Sequence, residues 1–300
     1  MVNTFCLDPT YSTTRLITRT KPVLVNAPDA VFPSRLFLPE GKGRSGEGGL
    51  RTNGYFKRSF SDKPLITVIT VVLNCEQHLE NTIKSVISQK YDNIEYIIVD
   101  GGSADMSLNI IKRYEGQIDY WVSEKDNGIY DAMNKAVSVA QGEWCYFLGA
   151  DDILLDEYSL FVEKAKESTC IYYANVLIKK YGHISGGIFN KYKLMQQNIC
   201  QQAILYPLFI FKYYRFNLKY KLLSDYCLNI FLFCKYKFKH LDYTIAVFDD
   251  EGASCRLDKA FNDDLNAIIL ANFGIGYYII KLVRSYTAKK YKQILSVMRS

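Results

Sequence analysis

Two aspartates, Asp151 and Asp152, leave the apolar run WCYFL through Gly149 and Ala150, and no Lys or Arg stands among the nine residues on either side. Like charges so placed repel unless something cationic sits between or beside them. A divalent cation held by oxygen ligands, Mg2+ or Mn2+, is the natural neutraliser. Such an ion would bridge these acids to a diphosphate and stabilise charge on it as it departs. Two more polar loops follow apolar runs: Asp100-Gly101-Gly102-Ser103-Ala104-Asp105 after IEYIIV, and Glu124-Lys125-Asp126-Asn127-Gly128 after IDYWV. One such loop reads as a helix cap, with Ser103 or Asp105 as N-cap. Three on one sheet edge are hard to treat as independent caps.

The elements that position these loops follow from the apolar pattern. LITVITVVL (65–73) is a β-branched run fitting a strand buried on both faces. Leu79, Ile83, Val86 and Ile87 recur at helical spacing. IEYIIV (94–99), IDYWV (118–122) and WCYFL (144–148) are further strands, with helices through Leu108 and Ile111 and over 129–140 between them. Strands alternating with helices give right-handed βαβ units: an α/β fold with a mostly parallel, Rossmann-like sheet whose ligands bind at the carboxyl ends of the strands.

Charge is segregated along the chain. The net charge of +6 divides into an acidic stretch, 65–178, with 8 basic and 18 acidic residues, and a basic one, 179–240, with 11 basic residues and a single acid. From Gly276 onward there are six bases and no acid. Residues 1–63 read as an irregular leader. Gly41, Gly43 and Gly46 spell GxGxxG there, but Pro39 precedes them and Glu47-Gly48-Gly49 follows, so a solvated linker is expected and not a dinucleotide loop. The 8 cysteines show neither CxxC nor zinc-finger spacing. The N-terminus lacks the layout of a secretory signal, so reduced thiols and a cytoplasmic setting are expected. The apolar-rich uncharged run Leu265–Ile280 is too short to span a bilayer.

ITVITVVLN, IIVDGGSAD, SEKDNGIYDAMNKA and GEWCYFLGADD resemble the family 2 glycosyltransferases of the GT-A fold, in particular bacterial enzymes that build O-antigen, capsule and exopolysaccharide. The likeness is strong over about 64–170 and weaker to about 255. It implies an inverting, metal-dependent transfer of a sugar from a nucleotide-sugar donor to a hydroxyl of a glycan or polyprenyl-diphosphate-linked acceptor. In that pattern Asn74 closes strand one, and Asp100, Gly101, Gly102 and Ser103 meet the nucleobase. Val71 and Leu73 replace the frequent Thr and Tyr. Asp151 lies near the ribose, and Asp152 is the metal ligand. Asp126, Tyr130, Asp131 and Asn134 form the donor-sugar loop. Met133 stands where many relatives carry Arg, which leaves Lys135 or Lys125 to meet the diphosphate.

Transfer to a hydroxyl needs a base. Asp225 in KLLSDYCL, the only acid between Glu167 and Asp242, matches the family's downstream Asp-Tyr pattern. The competing reading is a helix-surface acid paired with Lys221. Gln201-Gln202 stands where relatives often show His-Gln. Residues 205–239 interleave aromatics with Lys. A helical subdomain with an aromatic core and lysine rim, a nucleic-acid surface or a face on an anionic membrane leaflet would each use that composition. The resemblance favours the membrane face and no nucleic acid. The basic tail fits the same role, at the inner face of the plasma membrane.

The expected organisation is therefore a leader (1–63), a nucleotide-sugar-binding core (64–178), an acceptor-binding half (179–255) and a basic amphipathic helical tail (256–300). Two other readings share the motifs: a polyprenyl-phosphate sugar synthase, which needs no hydroxyl base, and a non-catalytic binding member of the fold.

Overall fold

The apolar run at Leu65 is continuous because its strand is enclosed: β2 (Ile66–Val72) is covered along nearly its whole length. The computed structural model describes residues 3–24, 26–41, 43–249 and 257–298, the last without the side chains of 288, 289 and 291–298. In it β2 lies between β3 (Ile94–Asp100) and β5 (Trp144–Gly149), with β4 (Tyr120–Ser123) beyond β3, all four parallel. Helices α1 (Leu79–Ile87), α2 (Ser107–Arg113) and α3 (Ile129–Val139) make the crossovers. Leu79, Ile83, Val86 and Ile87 are buried, as their spacing predicts.

Past β5 the sheet becomes mixed. β9 (Ile204–Pro207) inserts antiparallel between β5 and β7 (Ile171–Ile178). β10 (Phe238–Phe248) runs parallel to β7, β6 (Ile153–Leu154) pairs antiparallel with β10, and β8 (His183–Ser185) pairs antiparallel with β7. The 179–255 stretch thus adds strands to the same ten-stranded sheet as 64–178. The remaining helices are α4 (Glu157–Lys164), α5 (Lys191–Leu194), α6 (Ser224–Phe233), α7 (Lys259–Phe273) and α8 (Ile275–Met298). Gly274, at φ +85°, separates the last two. The expected 255/256 boundary lies outside the described residues.

The leader is not a solvated linker. Its β1 (Gly46–Gly48) pairs antiparallel with β4 as an edge strand. The glycines allow close approach: a Cβ on Gly48 would sit 2.6 Å from Trp121 Nε1, and Gly49, at φ +104°, lies against the Ile118 carbonyl. Ile17, Leu36, Leu38, Leu50 and Phe56 are buried. Arg51 is anchored deepest. Its guanidinium pairs with Glu95 at 2.6 Å and donates to the carbonyls of Leu36 (2.6 Å) and Val139 (2.9 Å). Glu95 also accepts from Thr67 Oγ1 and the Gln141 amide. Arg51→Ala strands a buried carboxylate, so we expect a loss of about 3–5 kcal/mol, read as a melting temperature lower by at least about 6 °C.

Several aromatics of 205–239 serve the core. Tyr206, Phe211 and Phe216 are buried and gather edge-on around Phe147 (5.3–6.1 Å between centroids), and Tyr226 and Leu232 are interior. The lysines form the rim.

Candidate active site

Parallel register aligns the strand ends. Val72 is opposite Asp100, Asp100 is opposite Ser123, and Val71 is opposite Gly149. The loops after β2, β3, β4 and β5 therefore meet at one edge. Asn74, at φ +53°, accepts from the Ala104 amide through Oδ1 (2.8 Å), and its own amide donates to Ser103 Oγ (2.8 Å). This staples the first loop to the second. The glycines join the second loop to the third. A Cβ on Gly101 would lie 2.4 Å from Asp126 Oδ2, and Gly102, at φ +87°, abuts Lys125. Burial raises the Asp126 carboxyl, and the charges of Asp131 and Asp100 add to this.

Two predicted contact residues face elsewhere. Asp100 is fully buried. It accepts from Ser103 Oγ and from Ser123 Oγ (2.6 Å), so it shapes the loop. Asn134 spends both ends of its amide on the Phe216 backbone (2.9 and 3.0 Å), tying α3 to the segment before α6. Asp131 accepts from the Asn127 amide (2.9 Å) and closes the first turn of α3.

Of the two candidate bases, Lys135 is taken up by Glu124 (2.9 Å) and Asp131 (3.8 Å). Lys125 stays exposed beside Gly102. Met133, buried, accepts only a long contact from Gln201 Nε2 (3.5 Å).

Both carboxylates of the acid pair fold over Gly149, where a Cβ would lie 2.4 Å from Asp152 Oδ2 and 2.9 Å from Asp151 Oδ1. Asp152 is buried, and N–H donors already reach both of its oxygens. Gln202 Nε2 (2.6 Å) and the Gly149 amide (3.1 Å) donate to Oδ2, and the Asp249 amide (2.9 Å) donates to Oδ1. Burial, with the charge of Asp151, pushes its carboxyl up to about 7. Asp151 is partly exposed. Burial and then Asp249 raise its carboxyl, while His78 and Lys179 pull it partway back. Tertiary contact thus brings in a cation the local sequence lacks, with Lys179 paired to Asp249 at 2.6 Å.

Asp225 is not a surface acid paired with Lys221. It lies buried in the first turn of α6. The Tyr130 hydroxyl donates to its Oδ1 (2.6 Å) and Asn198 Nδ2 to its Oδ2 (2.6 Å). Asn198 accepts in turn from Asn229, and Asn229 from Tyr206. Burial raises the Asp225 carboxyl, and Tyr130 and Asn198 oppose the rise. Asn198 and Gln202, missed as site residues by sequence reasoning, thus sit four positions apart, with Asn198 donating to Asp225 and Gln202 to Asp152. The paired glutamines were the only signal pointing there.

A mixed α/β sheet with a parallel core, and with polar loops and an acid pair at the carboxyl edge of that core, fits the GT-A class of fold. The glycosyl transferase family 2 model matches residues 67–242, and the chain belongs to that family. It is similar to the PGL/p-HBAD biosynthesis glycosyltransferase of Mycobacterium bovis (strain BCG / Pasteur 1173P2), with 30% identity over 212 residues, covering 66% of this chain and 82% of that protein. The fold resembles S. aureus TarS, residues 1–349, solved with UDP: TM-score 0.54, 16% identity, 69% of this chain and 65% of that one. It also resembles the mannosyltransferase PcManGT of Pyrobaculum calidifontis, solved with GDP-Man and Mn2+: TM-score 0.50, 16% identity, 75% and 76%.

Proposed function

We propose that this glycosyltransferase moves a sugar from a nucleoside-diphosphate donor to an acceptor hydroxyl in one displacement, with inversion and with help from a divalent ion. The observation that carries this reading is the setting of Asp225. The one acid of a basic stretch is brought onto Tyr130, itself a residue of the expected donor-sugar loop, and held there by Asn198. A carboxylate whose affinity for protons is raised by burial suits removal of a hydroxyl proton. A lipid-phosphate acceptor would need no such base, so the geometry favours a hydroxyl. We take the acceptor to be a glycan carried on a polyprenyl diphosphate; the mycobacterial relatives, named for PGL/p-HBAD biosynthesis, support a glycosyltransferase of a biosynthetic route.

The acid pair fits a hard cation. Its donors are carboxylate oxygens, Asp151 is open, and Asp152 Oδ1 keeps a lone pair beyond the Asp249 amide. Among the described residues no three His, Cys, Asp or Glu side chains form a ready cage. Asp151 and Asp152 would therefore hold Mg2+ or Mn2+ jointly with the donor's diphosphate, and the ion would supply charge neutralisation at the leaving group. TarS and PcManGT, solved with UDP and with GDP-Man and Mn2+, support a nucleotide donor and a divalent ion. Lys125, exposed beside Gly102, is the basic residue assigned here to the diphosphate. Gln202→Ala, which frees the buried carboxylate from its side-chain donor, is expected to raise the Mn2+ concentration for half-maximal donor binding about 10–100-fold.

No helix among the described residues is long and apolar enough to cross a membrane. α8 exposes Ile275, Ile279, Leu282, Val283 and Tyr286 alongside Lys281 and Arg284, which supports peripheral contact with an anionic leaflet. A donor panel of UDP- and GDP-sugars with Mn2+, scored by thermal shift and diphosphate release, tests the central reading. One donor should stabilise the protein only when the ion is present. Formation of a sugar monophospholipid would favour the polyprenyl-phosphate synthase instead, and no metal-dependent nucleotide binding at all would favour a non-catalytic protein.

A further inference from the structure

Between the leader and α3 lies a cavity of about 430 Å³, within the range of small-ligand sites. Phe32, Pro33, Arg35 and Pro39 line one side, Lys135 lines the α3 side, and Arg215 lines it as well. The leader is fixed here by backbone bonds, with the Arg35 amide donating to the Ser138 carbonyl (2.7 Å) and the Phe32 amide to the Lys212 carbonyl (2.9 Å).

Three acids, Glu40, Glu124 and Asp131, and three cations, Arg35, Lys135 and Arg215, line this cavity, so its charges balance in number but not in pairing. Glu124 is held by Arg44 (2.8 Å) and Lys135 (2.9 Å), and Asp131 lies 3.8 Å from the same lysine. Arg215 has no such partner. Its guanidinium lies 4.7 Å over the Phe32 ring and donates one N–H to the Phe211 carbonyl, and no described carboxylate pairs with it. Burial lowers its pKa to about 10, the mark of a cation deprived of water and of a counter-charge. The Arg35 guanidinium, exposed at the same cavity, is likewise unpaired among the described residues. A half-buried cation such as Arg215 is costly unless an anion meets it. A guanidinium presents its donors in a fork that suits carboxylate or phosphate oxygens. Phe32, Pro33 and Pro39 supply an apolar wall, and the volume exceeds what a bare anion needs.

We propose that this cavity is a subsite for an anionic sugar unit, its ring against Phe32 and Pro39 and its carboxylate or phosphate on Arg215 and Arg35. Titration of the full chain, followed by saturation-transfer NMR, with glucuronate, glucose 6-phosphate, glucose and inorganic phosphate tests it. At least one of the two anionic sugars should bind at least ten-fold more tightly than glucose or phosphate, and which of them wins separates a carboxylate from a phosphate ligand. Arg215→Gln should weaken that binding at least ten-fold, and saturating UDP or GDP with Mn2+ should leave it unchanged. Should Arg215→Gln not fold, the exposed Arg35→Gln should still weaken it about three-fold. Glucose or inorganic phosphate binding as tightly as the anionic sugars, no saturable binding, competition by the nucleotides, or full affinity in a folded arginine variant would each overturn the proposal.

Discussion

Asp225→Asn should lower transfer at least 100-fold while donor binding, read by thermal shift with nucleotide and Mn2+, stays within about two-fold of the parent. The substitution keeps the shape and a hydrogen-bonding amide between Tyr130 and Asn198 but removes the group that accepts the proton. The pH dependence gives an independent check. The base works only when ionised, so the rate falls as pH drops through the Asp225 pKa. Burial raises that pKa, so the acid limb should lie above the ordinary aspartate range. The ionisable neighbours are Tyr130 from α3, Tyr206 from β9, and Tyr226 and Cys227 from α6, all neutral at working pH. Removing a donor that favours the ionised form, as in Asn198→Ala, should move the limb to higher pH. An unchanged rate for Asp225→Asn would take this residue out of the mechanism.

The second large effect is at the acid pair. Asp151→Ala should reduce transfer at least 1,000-fold, as expected where the removed group holds charge that develops only in the transition state. The fold should persist, because Asp151 is partly exposed and no described side chain donates to it. Asp152→Ala should abolish transfer as well, but it leaves the Gly149 and Asp249 amides and the Gln202 amide without their acceptor. A measurable loss of melting temperature is therefore expected from Asp152→Ala and not from Asp151→Ala. Mn2+ titration of donor binding separates the two effects, because a folded variant that still binds donor in a metal-dependent way would remove its carboxylate from the ion.

Much of the catalytic half was legible in the residues. β-branched runs such as ITVITVV fold into strands that need both faces covered, and the polar loops after them converge once the strands are parallel. The family likeness then assigned roles to Asp151, Asp152 and Asp225. What local pattern could not show was direction. Asp100 and Asn134 have suitable types at suitable places, yet one is turned inward onto two serines and the other is spent on the Phe216 backbone. The leader's glycines looked like a linker because their purpose, close passage over Trp121, lies in a residue more than 70 positions away.

The sequence by itself determined the α/β class, the parallel core, the edge where ligands gather and the acids that could serve there. These follow from short-range periodicity and residue chemistry, which each segment carries alone. The tertiary structure alone decided that Asp225 is buried on Tyr130, that Asn198 and Gln202 reach two different acids, that the leader builds a cavity against α3, and that Tyr206, Phe211, Phe216, Tyr220 and Tyr226 of the basic stretch are core. Those outcomes depend on contacts between segments far apart in the chain, where packing and hydrogen-bond satisfaction select one orientation among several that the local sequence permits.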